Sequence, residues 1–110
     1  MRAYLIDEIS SSDMGKINGF LKQNAITSKL DQIFWVLIPE DLLNEAQFNH
    51  RNCQPHAFAV ELGQDWVRLE FLVRSQKDMR CTCSGYCTPQ QMDFIIRFAH
   101  GMLDGLGIKT

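Results

Sequence analysis

The residues of this chain whose types and spacing could do chemistry are its cysteines and histidines. Cys81, Cys83 and Cys87 crowd the stretch Arg80-Cys81-Thr82-Cys83-Ser84-Gly85-Tyr86-Cys87. Cys53 lies well upstream, between His50 and His56 in a His-x2-Cys-x2-His pattern. Four thiolates, or three with one imidazole, suit tetrahedral zinc. Thiolates gathered at one turn also repel each other unless a cation holds them, so Cys53, Cys81, Cys83 and Cys87 form a candidate zinc-ligand set. The spacing argues the other way, because paired ligands usually stand two residues apart. On the plainer reading the thiols are small buried apolar side chains, among the most buried of residue types.

A metal-free chemistry is also open. Cys87 directly precedes a helix start, and Lys77 and Arg80 are near in sequence. A helix N-terminus and neighbouring cations both stabilise a thiolate. A low-pKa Cys87 beside Cys81-x-Cys83 would suit a thiol-based redox protein, although there is no Cys-x-x-Cys and no evident acid or base to assist. His100 sits beside Ala99 on the long helix and has no special role. His56 points inward and reads as a hydrogen-bonded core histidine. The basic residues Arg68, Arg74, Lys77 and Arg80 are interrupted by Glu70 and Asp78, as on a solvated rim.

The elements that must position these groups follow from patterning. Thr88-Pro89-Gln90-Gln91 combines an N-cap, a proline at the first helical position and a Thr-x-x-Gln capping box. Met92, Ile95, Ile96, Ala99, Met102, Leu103 and Leu106 then recur at helical spacing, and Gly107 is placed to end the helix. Phe94 and Phe98 form a second stripe, either a broadening of the core face or a dimer contact. Upstream, Phe58, Val60 and Leu62 alternate with Ala57, Ala59 and Glu61, and Val67, Leu69, Phe71 and Val73 with Arg68, Glu70 and Arg74. Gly63-Gln64-Asp65-Trp66 must turn between them, so they form an antiparallel hairpin. With Gln64-Asp65 as the loop, Leu62 faces Val67, Val60 faces Leu69, Phe58 faces Phe71 and His56 faces Val73, apart from any bulge. This hairpin brings Cys53 to the same end as Cys81, Cys83 and Cys87.

Earlier in the chain, residues 2–9 read as a strand and residues 10–24 as a helix with Met14, Ile17, Phe20 and Leu21 inward. Residues 31–38 read as a strand whose unbroken apolar run implies burial on both faces. A helical crossover between two strands predicts parallel pairing. Pro39-Glu40-Asp41 starts a short helix carrying Leu42, Leu43 and Ala46. The expected fold is a two-layer α+β sandwich in β-α-β-α-β-β-α order. Its four-stranded mixed sheet has the helices on one face, in a single domain over 1–110.

Composition bounds the function. At 110 residues, with 45% hydrophobic and 22% charged side chains, the chain is long enough for a core without staples. A formal charge of −2 argues against a nonspecific nucleic-acid binder. The longest apolar run, 33–38, is too short to span a bilayer, so no membrane role is expected. The start shows no secretory-leader pattern, and a cytoplasmic, reducing location without structural disulfides is expected. The half-apolar outer sheet face predicts a homodimer or protein partner. The leading reading is a non-catalytic, self-associating interaction or regulatory domain. A four-cysteine zinc module and a thiol redox protein are the alternatives.

Overall fold

The computed structural model describes residues 2–78 and 80–109. In chain order these form β1 (Ala3–Ile6), α1 (Ser11–Asn24), β2 (Ile26–Thr27) and β3 (Ile33–Leu37). Next come α2 (Glu45–Asn49), β4 (His56–Leu62), β5 (Val67–Glu70), β6 (Leu72–Ser75), β7 (Gly85–Tyr86) and α3 (Pro89–Gly105). Among these residues no helix is long and apolar enough to cross a membrane.

Strand β4 is the centre, with His56 through Val60 all buried. It pairs with β5 on one side and β3 on the other, and the sheet runs β1-β5-β4-β3-β2, with β6 paired to β4 and β7 to β6. Every pairing is antiparallel. The expected four-stranded mixed sheet is thus corrected to seven antiparallel strands. The physical reason is that the β4/β5 hairpin inserts between β1 and β3. Each of those strands pairs with the hairpin and not with the other, so α1 is no parallel crossover between neighbours.

The hairpin begins as its pattern requires. The Gly63 N–H donates to the Trp66 carbonyl at 2.9 Å, and Val60 and Leu62 oppose Leu69 and Val67. Beyond Leu69 the register changes. His56 opposes Ser75 and Ala57 opposes Arg74, so the expected Phe58–Phe71 and His56–Val73 pairs do not form. The second strand carries two extra residues, Phe71 and Leu72. The Phe71 N–H turns to the Arg2 carbonyl at 3.0 Å, and its carbonyl accepts from the Cys87 N–H at 2.8 Å. A bulge of two preserves side-chain parity, so Phe71 and Val73 remain buried.

Strand β3 is covered on one face only. Phe34, Val36 and Ile38 are buried, while Ile33 and Trp35 are half-buried and Leu37 is exposed. The apolar run therefore reflects one core face and one open face, not burial on both. Helices α1 and α3 lie over the core face. Met14, Ile17 and Leu21 join Ile95, Ala99, Met102 and Leu103 against Phe34, Phe58, Val60, Leu69 and Val73. Phe94 and Phe98 meet the Phe58 ring edge-on, at centroid distances of 6.4 and 5.8 Å. They broaden the core face and stay half-buried.

The ends of α3 follow local chemistry. Thr88 and Gln91 form the expected capping box. Gly107, at φ +70°, closes a Schellman turn in which Ile108 N–H reaches the Leu103 carbonyl and Gly107 N–H the Asp104 carbonyl. The expected helix at Pro39 divides instead. Glu40–Leu42 make a single 3₁₀ turn, and Asn44 caps a separate α2 through its own capping box with Gln47.

Phe58 is fully buried beneath α3, whereas Leu37 is 42% exposed on the open face. Phe58→Ala should cost roughly 3–5 kcal/mol in urea unfolding, and Leu37→Ala about 0.5 kcal/mol or less. Similar losses at both positions would contradict this assignment of the two faces.

Candidate metal centre

Two turns meet at one end of the β4/β6 pair. The first is the 3₁₀ turn Arg51–Cys53 that follows α2, in which the Cys53 N–H donates to the His50 carbonyl at 2.9 Å. This places His50 and Cys53 side by side. The second turn lies in the loop joining β6 to β7. There the Cys81 N–H donates to the Asp78 carbonyl at 3.1 Å and the Ser84 N–H to the Cys81 carbonyl at 3.2 Å.

Buried polar links lock the turns together. The Ser75 hydroxyl donates to the Cys53 carbonyl and accepts from the N–H groups of Lys77 and Asp78. The Ser84 hydroxyl accepts from the Ser75 N–H, and the Gln76 N–H reaches the Pro55 carbonyl. On the other flank, the fully buried Gln91 donates its side-chain amide to the Leu42 carbonyl and to Gln47 Oε1, both at 2.9 Å. The capping boxes of α2 and α3 are thus joined, and α2 delivers His50. Sequence reasoning identified the Thr88–Gln91 box but not these links, because Ser75, Ser84 and Gln47 resemble ordinary loop residues until the chain is folded.

The result is a group of four donors, from His50, Cys53, Cys81 and Cys83, all within 4.8 Å of one another. Zn–S bonds of about 2.3 Å and Zn–N bonds of about 2.0–2.1 Å put tetrahedral donors roughly 3.5–3.8 Å apart, so the group is the size of one ion's shell. His50 presents Nδ1, which lies 3.0 Å from Cys81 Sγ. The Cys83 N–H points at Cys81 Sγ at 3.5 Å, a contact suited to a thiolate. Cys83 is buried, and the other three are half-buried. Of the four cysteines proposed from sequence, Cys53, Cys81 and Cys83 come together here and Cys87 does not. Cys87 packs on the hydrophobic core, and its N–H is occupied by Phe71. The His50-x2-Cys53 spacing already carried the signal for His50, since two turn residues with two between them can bind one ion.

The thiols are electrostatically unequal. Cys81 is lowered to about 6, first by the Cys83 N–H and then by hydrogen bonds from Cys53, Cys83 and His50. Cys83 is pushed up to about 12, chiefly by burial and then by its bond to Cys81. Cys53 is also raised, mainly because its S–H bonds the Cys81 sulfur. One thiolate is therefore solvated by its two neighbours. Burial raises Cys87 as well. This is opposite in direction to the lowering expected from its place before the helix start.

These features define an α+β domain with a candidate Cys3His centre. No protein-family model, curated protein or solved structure matches this chain.

For the metal-free protein the sign is set by Cys81. A lowered pKa means its thiolate fraction rises through about pH 6 and is nearly complete at pH 7.5. Iodoacetamide should label Cys81 first, at a rate that climbs between about pH 5 and 7 and then levels off, with Cys83 and Cys87 slow. Peptide mapping that finds Cys87 labelled fastest would contradict the order.

Proposed function

We propose that this chain is a small zinc-binding domain in which His50, Cys53, Cys81 and Cys83 hold one structural ion. The convergence of four donors from two separate turns is the observation that carries the reading. Four protein ligands leave no open coordination position, the mark of a structural and not a catalytic zinc site. The ion would neutralise three crowded thiolates and fasten the β6–β7 loop, which has little regular structure, to the turn before β4. Folding energy is then coupled to metal binding. The chemistry of the donor set is soft enough to favour zinc over magnesium or calcium.

Zinc should copurify at about one ion per chain from protein made without a histidine tag. Chelation should lower the melting temperature, and Cys83→Ser should lose both the zinc and the chelator sensitivity. Cys87→Ser should keep both. A metal-free chain whose melting ignores added zinc would overturn the reading, and equal zinc loss in Cys87→Ser would overturn the ligand set.

A second reading, compatible with the first, concerns partners. Among the described residues no helix covers the outer sheet face, and Leu5, Ile26, Leu37 and Tyr86 are 42–56% exposed on it. Around the half-buried Trp35 run charges of alternating sign: Arg68 lies 3.8 Å from both Glu61 and Glu70, and Arg74 lies 3.1 Å from Glu70. A face carrying both signs of charge lets a second copy of itself approach about a twofold axis without net repulsion. We therefore propose a homodimer through the sheet, as a non-catalytic interaction domain. Light scattering at micromolar concentration should give twice the chain mass, and Leu37→Glu should return it to one. A monomer mass for the unmodified chain would remove this reading.

A further inference from the structure

His56 is the one fully buried imidazole of the described chain, and it stands directly behind the donor group. Its Nε2 lies 3.2 Å from Cys83 Sγ, while its Nδ1 is buried and has no hydrogen-bond partner. A buried polar atom without a partner costs stability, so this side chain is a poor choice for filling the core. Leucine or phenylalanine would suit a position on the same strand face as Phe58 and Val60. What the imidazole offers beyond volume is its bond to Cys83.

We propose that His56 is a positioning residue for the metal centre: it donates its Nε2 proton to the Cys83 sulfur and orients that thiolate toward the ion. This deepens the zinc reading and rests on it. A metal-bound Cys83 has no proton of its own to give, so the bond runs from His56 Nε2–H to Sγ. The tautomer is thereby fixed, with the bare lone pair on Nδ1. Cys83 is also the most buried of the three thiols. Water cannot solvate its charge there, and the N–H···S bond takes the place of that solvation. His56 opposes Ser75 across the β4–β6 ladder, so the backbone that holds the two ligand turns together also holds the donor.

The experiment compares the unmodified chain with His56→Leu, His56→Gln and His56→Asn. Cobalt(II) is titrated into each metal-free protein, followed by zinc competition. Leucine fills the space but gives no N–H. Glutamine carries an amide N–H at a reach similar to Nε2, and asparagine falls short of it. His56→Leu should bind zinc about 10–100-fold more weakly. Its thiolate-to-cobalt band should move to longer wavelength, because a sulfur without its hydrogen bond gives up charge more readily. His56→Gln should recover most of the affinity and the band position, and His56→Asn should behave like leucine. If His56→Leu fails to fold by circular dichroism, the glutamine–asparagine pair decides the matter. Leucine and unmodified protein with the same affinity and spectrum would overturn the role of His56 while leaving the zinc centre standing. So would glutamine that is no better than asparagine. An unmodified chain that binds neither cobalt nor zinc would overturn the centre itself, and this inference with it.

Discussion

The pairing of His56 with Ser75 is the contact on which the rest of the molecule turns. It is the last rung between β4 and β6, and it closes the sheet at the end where the two donor-bearing turns emerge. Ser75 holds the Cys53 carbonyl and two amides of the β6–β7 loop through one hydroxyl, and His56 touches Cys83. One rung thus joins the hydrophobic core to the polar site. Both side chains are fully buried, where each hydrogen bond is strengthened by the loss of competing water.

That rung exists because of the irregularity that ends three positions before Ser75. Phe71 and Leu72 are extra residues in the strand facing β4, and Phe71 gives its backbone groups to Arg2 and Cys87. The strand thereby serves two neighbours. Its first half, β5, pairs with β1, and its second half, β6, pairs with β7. Without the bulge, Val73 would face His56 and the loop carrying Cys81 and Cys83 would begin elsewhere. Because the insertion is two residues and not one, the core keeps its apolar set while the site moves by a whole repeat.

The two sheet faces have different economies. The helical face is filled by aromatic and aliphatic side chains, and the other is roofed at its middle by its own ions. Arg74 reaches Glu70, lies 6.0 Å from the Trp35 ring and stands opposite the small, buried Ala57. Partly exposed pairs of this kind contribute little individually. Their position matters more than their strength, because they leave the larger apolar residues of this face at its margins.

The sequence by itself determined the local features: the α3 capping box and its Gly107 stop, the hairpin turn at Gln64-Asp65, the parity of both its strands and the meeting of Cys53 with Cys81. Each depends on near neighbours, on period-two or period-3.6 patterning, or on which end of a hairpin a residue occupies. Only the tertiary structure decided the antiparallel sheet, since strand adjacency depends on which edges the central hairpin leaves open. It alone showed the Phe71 bulge, whose donor and acceptor are satisfied by Arg2 and Cys87, residues distant from it in sequence. It also exchanged Cys87 for His50 in the donor group. Cys87 has its place fixed by apolar packing against the core, and His50 by a glutamine pair that ties two helix ends together. Neither the packing nor the pairing has a periodic trace in one dimension, because both arise from side chains that become neighbours only after the chain has folded.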